Sequence, residues 1–145
     1  MNSLFIAFFI ALIATFGSLF FSEIMNFIPC SLCWYQRIFM YPLLFILAIS
    51  LLYKDSKVIL NASPLAFVGF LISIYHNLLV YKIIPEDLSP CIGGVPCSVD
   101  YLNILGFITI PLLSLLAFFI ILICLMLHYL SLVKVSKNLR ENHAE

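Results

Sequence analysis

Five cysteines in 145 residues are many, and four of them fall as two close pairs, Cys30 with Cys33 and Cys91 with Cys97. The first pair stands in Pro29-Cys30-Ser31-Leu32-Cys33-Trp34-Tyr35-Gln36-Arg37, a Cys-x-x-Cys at the entry to an apolar run. At a helix start, free N–H groups and the positive end of the helix dipole stabilise a thiolate. Arg37 lies four residues beyond Cys33, so a helix puts the two on one face, where a guanidinium can stabilise an anion. The second pair encloses Ile92-Gly93-Gly94-Val95-Pro96, and the glycines let that segment fold back, so a disulfide across it is geometrically easy. The bland readings are two structural disulfides or a four-thiolate metal site. Trp34 and Tyr35 read either as interfacial aromatics or as walls for a planar ligand, and Arg37 could simply snorkel. Cys124 stands alone in a long apolar run and reads as a packing residue.

What the pairs mean depends on which elements hold them and on which side of a membrane they lie. The chain is 64% hydrophobic and 10% charged, against about 25% charged in soluble domains. Its net charge is zero and it has no basic tract, so nothing points to nucleic acid. The sequence predicts one integral membrane domain over 1–145, with helices at about 4–21, 32–53, 65–81 and 105–130. Each run is long enough, at ~1.5 Å per residue, to cross most of ~30 Å of hydrocarbon. Lipid requires every peptide group to find an internal partner, and these runs are too long and too uniformly apolar for barrel strands. The first run lacks a preceding basic residue and a small-residue cleavage pattern, so it reads as a retained helix.

Five of the seven basic residues, Lys54, Lys57, Lys134, Lys137 and Arg140, lie in the middle connection and the C-terminal tail, against Arg37 and Lys82 on the other side. This asymmetry predicts both termini in the cytoplasm and two outward-facing loops. No cysteine entered that assignment, yet both pairs then fall outside, where disulfides form. Two pairs on one side suggest a relay by thiol–disulfide exchange, with the loop pair meeting a protein substrate and the boundary pair meeting a terminal acceptor. No flavin fingerprint or haem-attachment motif offers a sink, so a lipid-soluble quinone, menaquinone or ubiquinone, is the acceptor reachable from the bilayer. His76, a polar residue within the third run, is a candidate to hydrogen-bond a quinone carbonyl or carry protons, or else is satisfied by a neighbouring helix.

These residues resemble the DsbB family of disulfide bond formation proteins, whose signature is similar to Cys30-Ser31-Leu32-Cys33-Trp34-Tyr35-Gln36-Arg37. Gly17-Ser18-Leu19, Met40-Tyr41-Pro42, Gly94-Val95-Pro96-Cys97-Ser98 and Gly106-Phe107-Ile108-Thr109-Ile110-Pro111 look like its shorter, BdbC-like branch, and the likeness runs along nearly the whole chain. Gln36 stands where the longer branch tends to carry Glu. The resemblance implies an all-α membrane bundle of four transmembrane helices with two outward-facing cysteine-bearing loops. It implies a bacterial cell-membrane oxidoreductase that reoxidises an extracytoplasmic thioredoxin-like partner of the DsbA/BdbD type and reduces quinone, supporting disulfide formation in exported proteins. It further implies redox-active disulfides Cys30–Cys33 and Cys91–Cys97, a mixed disulfide with the partner at Cys91, and Cys33 nearest the quinone with Arg37 beside it. Trp34, Tyr35 and His76 are expected around the same ring. The rivals are a membrane metal-thiolate protein and a structural subunit with inert disulfides.

Overall fold

The computed structural model describes residues 2–26, 28–53, 57–85 and 109–142. Cys91 and Cys97, Lys54 and the start of the fourth run at 105–108 lie outside the described residues. Four long helices carry the fold: α1 (Asn2–Leu19), α2 (Ser31–Tyr53), α3 (Val58–Val80) and α4 (Ile110–Asn142). All four are long and apolar enough to cross a membrane, and no strand occurs among the described residues. The chain is an all-helical, multi-pass membrane bundle.

The helices depart from the sequence expectation at three ends. The first apolar run continues past α1 in a π-helical turn, Phe20–Ile24, closed by Met25 N–H on the Phe20 carbonyl at 3.2 Å. The third helix begins at Val58, well before residue 65, because Val58, Ala62 and Ala66 are all fully buried and Pro64 rides inside the helix. The uninterrupted apolar run begins only after Pro64, but the burial of one helical face outweighs a single missing N–H. The fourth helix, described from Ile110, runs on to Asn142, past the apolar run. Its 33 residues span roughly 50 Å at ~1.5 Å each, so the charged end projects beyond the hydrocarbon. Pro111 sits in the first turn of α4, where a missing N–H costs nothing. Thr109 precedes the helix, with its Oγ1 accepting from Leu112 N–H at 3.4 Å.

The helices close a ring in chain order, with α1 beside α2 and α4, and α3 beside α2 and α4. Small residues let them approach: Ala7 and Ala11 on α1, Ala62, Ala66 and Gly69 on α3, and Ala117 on α4. Large apolar side chains such as Phe5, Ile13, Phe45, Leu60 and Met126 stand exposed around the outside, as a lipid-facing surface requires. Cys124 is buried in the main core with Phe118, Ile121 and Leu125.

The tightest approach is at Gly69, where an added Cβ would run into the ring of Phe118, itself fully buried. Gly69→Ala should therefore lower the melting temperature in detergent by several degrees, an overpacking cost of about 1–3 kcal/mol. Gly17→Ala is the control, since a Cβ there meets nothing within 4 Å. Equal melting of the two variants would show that Phe118 yields at no cost.

One end of the ring gathers the polar side chains. Asn77 donates to the carbonyls of Ser73 at 2.8 Å and Pro111 at 2.9 Å, tying the end of α3 to the start of α4. Ser114 donates to the same Pro111 carbonyl and meets Ser73 Oγ at 3.3 Å. The chain leaves α3 through Lys82 at positive φ, with Lys82 N–H on the Leu79 carbonyl and Ile83 N–H on the Leu78 carbonyl, both 3.0 Å. This pair of bonds is a Schellman cap. It turns Ile84 back to pack against Cys30, Leu32 and Leu79.

Candidate active site

Cys30 is the residue just before α2, and its position does chemical work. Its carbonyl accepts the Trp34 N–H at 3.2 Å, and its sulfur accepts the Cys33 N–H at 3.4 Å. The sulfur thus occupies the place that a serine or threonine oxygen takes at an ordinary helix N-terminus. One turn of helix brings the Cys33 sulfur to 3.1 Å from it. The Cys33 thiol holds the Cys30 thiol well below the ordinary cysteine range; burial opposes this, and His76, 3.6 Å away at Nε2, adds to the lowering. The Cys30 sulfur thus meets both the Cys33 N–H and the His76 ring, contacts that favour a thiolate there.

Cys33 faces another way. It lines a cavity of about 360 Å³ walled by α1, α2 and the start of α4. Gln36, Arg37 and Met40 extend the α2 wall, and Gly17 and Ser18 form part of the α1 wall. At Gly17 the absent side chain leaves the wall open. The rim carries Ile13, Leu113 and Leu116, all exposed apolar residues on the lipid-facing side.

Arg37 is anchored by its fork. Nε donates to Ser18 Oγ at 2.8 Å and Nη2 to the Ser18 carbonyl at 3.0 Å. The guanidinium also lies 5.6 Å from the Trp34 ring centroid, a cation–π distance. Among the described residues its hydrogen-bond partners are neutral, which leaves its charge available to an anion in the cavity. His76 is only 1% exposed and does not line the cavity. Its Nδ1 meets Gln36 Nε2 at 3.2 Å and its Nε2 meets Cys30, so its ring lies on the far side of the pair.

A family model described as "Disulfide bond formation protein DsbB" matches residues 2–128. The chain belongs to the DsbB family. It is 53% identical to "Disulfide bond formation protein C" of Bacillus subtilis (strain 168), over 79% of this chain and 83% of the relative. It is 45% identical to "Probable disulfide formation protein C 1" of Bacillus anthracis, over 84% and 88% respectively. A "Probable disulfide formation protein" of Oceanobacillus iheyensis is 46% identical over 77% of both chains. No solved structure matches the chain. Membership of the DsbB family makes this a membrane disulfide-forming oxidoreductase.

Of the residues that the sequence singles out, the structure brings Cys30, Cys33, Arg37 and His76 to one end of the bundle. Cys33 and Arg37 share the cavity, as their helical spacing predicts. Trp34 and Tyr35 are half exposed and are not among the residues that line the cavity. Trp34 instead flanks the guanidinium. Sequence reasoning missed Ser18, the anchor of Arg37, and the link from Gln36 to His76. Ser18 falls in the family-like segment Gly17-Ser18-Leu19, but nothing local gives it a partner, and only its position opposite α2 makes it the anchor of Arg37.

Proposed function

We propose that this DsbB-family protein oxidises the dithiol of an extracytoplasmic thioredoxin-like partner and delivers the electrons to a membrane quinone. The observation that carries the reading is a redox-capable cysteine and a cation side by side in an apolar cavity whose rim faces lipid. The residues fit the cofactor. The walls are apolar enough for a ring and the start of an isoprenoid tail, Arg37 would offer its positive charge to a ring oxygen, and Cys33 lines the same cavity. A bound quinone, menaquinone or ubiquinone, would supply a two-electron, two-proton acceptor reachable from the bilayer.

The chain's own residues do the rest. The partner's thiolate attacks the Cys91–Cys97 disulfide, with the mixed disulfide at Cys91. Exchange then carries the two electrons to Cys30–Cys33. Arg37, held by Ser18, stabilises negative charge on the cavity side of the pair. Both cysteine loops face outward and both termini face the cytoplasm in this reading, as the distribution of Lys and Arg supports. A metal-thiolate site is less well supported. Cys30, Cys33 and His76 bring three possible ligand atoms within 4.8 Å of one another, but a guanidinium in the cavity that Cys33 lines favours an electron acceptor that turns anionic over a second cation.

The test uses the full chain in lipid nanodiscs with a reduced thioredoxin-like protein and a short-tailed quinone, without oxygen. The expected result is one quinone reduced for each partner disulfide formed. Partner oxidation that needs no quinone, or no oxidation at all, would overturn the reading.

A further inference from the structure

The cavity leaves one buried group unexplained. His76 is shut away from the cavity, yet both its ring nitrogens are engaged, one by Gln36 and the other by Cys30. All three side chains are at least nine-tenths buried, at 7%, 1% and 7% exposure for Gln36, His76 and Cys30. A buried chain of three polar groups across two helices is costly unless each group is satisfied, and here it ends on a sulfur that reacts.

We infer that His76 is a catalytic residue for thiol exchange at Cys30, that Gln36 is its positioning residue, and that His76 does not serve as a quinone ligand. The inference rests on the thiol-exchange reading above and divides the pair. Cys33 serves the acceptor side, in the cavity, and Cys30 serves exchange with the outer thiols, against His76. When the Gln36 amide N–H donates to Nδ1, the ring proton sits on Nε2, facing the Cys30 sulfur. The step served is the resolution of a mixed disulfide at Cys30. An outer thiolate attacks the outer sulfur of that bond, the outer disulfide forms and the bond to Cys30 breaks. Cys30 departs with the electron pair as a thiolate, which Nε2–H and the Cys33 N–H both receive. The outer dithiol is thereby oxidised to a disulfide and the Cys30/Cys33 pair is reduced by two electrons. A better-stabilised leaving thiolate leaves faster.

Among the described residues, the charged and titratable groups around this sulfur are few. From α2 they are Cys33 and Arg37, and from α3 they are His76 and, one residue earlier, Tyr75. Glu23 on the extension of α1 and Lys82 beyond α3 are exposed, and the first turns of α4 carry no ionisable side chain. His76 is the group whose loss separates proton handling from the cavity's charge.

The experiment compares wild type with His76→Gln, full chain in nanodiscs. In the reduced protein without quinone, iodoacetamide labelling of Cys30 is followed against pH by peptide mass spectrometry. With partner and quinone, kcat and quinone KM are measured. His76→Gln should move the labelling midpoint up by about one pH unit, roughly a tenfold loss of thiolate below both midpoints. Turnover should fall with the quinone KM unchanged. An unmoved midpoint with a raised quinone KM would make His76 a quinone ligand and overturn the inference. An unmoved midpoint with normal turnover would reduce His76 to packing. Should His76→Gln fail to fold, Gln36→Met keeps the volume and removes the amide. It should shift the midpoint in the same direction by less, and no shift would overturn the positioning role. The labelling arm contains no quinone, so it reads this inference even where the quinone reading fails.

Discussion

Cys33→Ser should reduce quinone-linked turnover to background while the bundle stays folded. A serine oxygen forms no disulfide, so the pair can neither accept electrons from the outer thiols nor pass them on. The loss is complete in kind, since no described thiol stands by to replace it: beyond Cys30, the one other described cysteine, Cys124, lies deep in the core among Phe118, Ile121 and Leu125. The fold should survive because Cys33 is half-buried on a cavity wall, where a smaller, more polar atom leaves no unpaired group in the packed core. Cys124→Ser is the internal comparison and should keep most of the activity. Turnover assays on both variants, with melting temperatures alongside, check the pair of expectations. If Cys124→Ser were as inactive as Cys33→Ser with an unchanged melting temperature, the assignment of the electron path to the helix-start pair would be wrong.

Arg37→Ala should lower kcat by about a hundredfold, the scale of losing one charged donor at a site where negative charge develops. The mechanism lies in the anchoring. Two donors of the guanidinium are spent on Ser18, at 2.8 Å and 3.0 Å, which fixes the charge without neutralising it. Arg37→Lys keeps a charge but has no planar fork to hold on Ser18 Oγ and the Ser18 carbonyl together. It should therefore recover only part of the rate. Ser18→Ala removes one of the two anchors and should fall between wild type and Arg37→Lys. A quinone titration separates binding from chemistry: the expectation is a fall in kcat with a rise in quinone KM. Activity of Arg37→Ala within twofold of wild type would remove the guanidinium from the site's electrostatics and leave it as an interfacial residue.

The two substitutions touch features with very different visibility in the sequence. Four uninterrupted apolar runs determine four helices, because lipid leaves the backbone no other partner. Cys-x-x-Cys at the entry of the second run places one sulfur where it accepts helix N–H groups and the other a turn away, which follows from helix pitch alone. The same pitch puts Cys33 and Arg37 on one face. The start of α3 was not legible, because the uninterrupted apolar run begins only after Pro64 and only the burial of Val58 and Ala62 against the other helices shows that they are helical.

What faces what was decided by the tertiary structure. In a soluble bundle a polar stripe marks the outer face of each helix, but here lipid makes the outer faces as apolar as the core, so the sequence carries little record of inside and outside. His76 and Asn77 are neighbours in sequence, about 100° apart on the helix. The ring order of the helices sends Asn77 to the carbonyl of Pro111 on α4 and His76 to Cys30 and Gln36 on the α2 side. That order rests on close approaches such as Gly69 under Phe118. The sequence by itself determined where two thiols and a cation stand on one helix, since that follows from residue types and from spacing within the helix. Only the packing of four helices decided which sulfur meets the cavity, which meets the imidazole, and that Ser18 holds the guanidinium, since those contacts join residues that no local spacing relates.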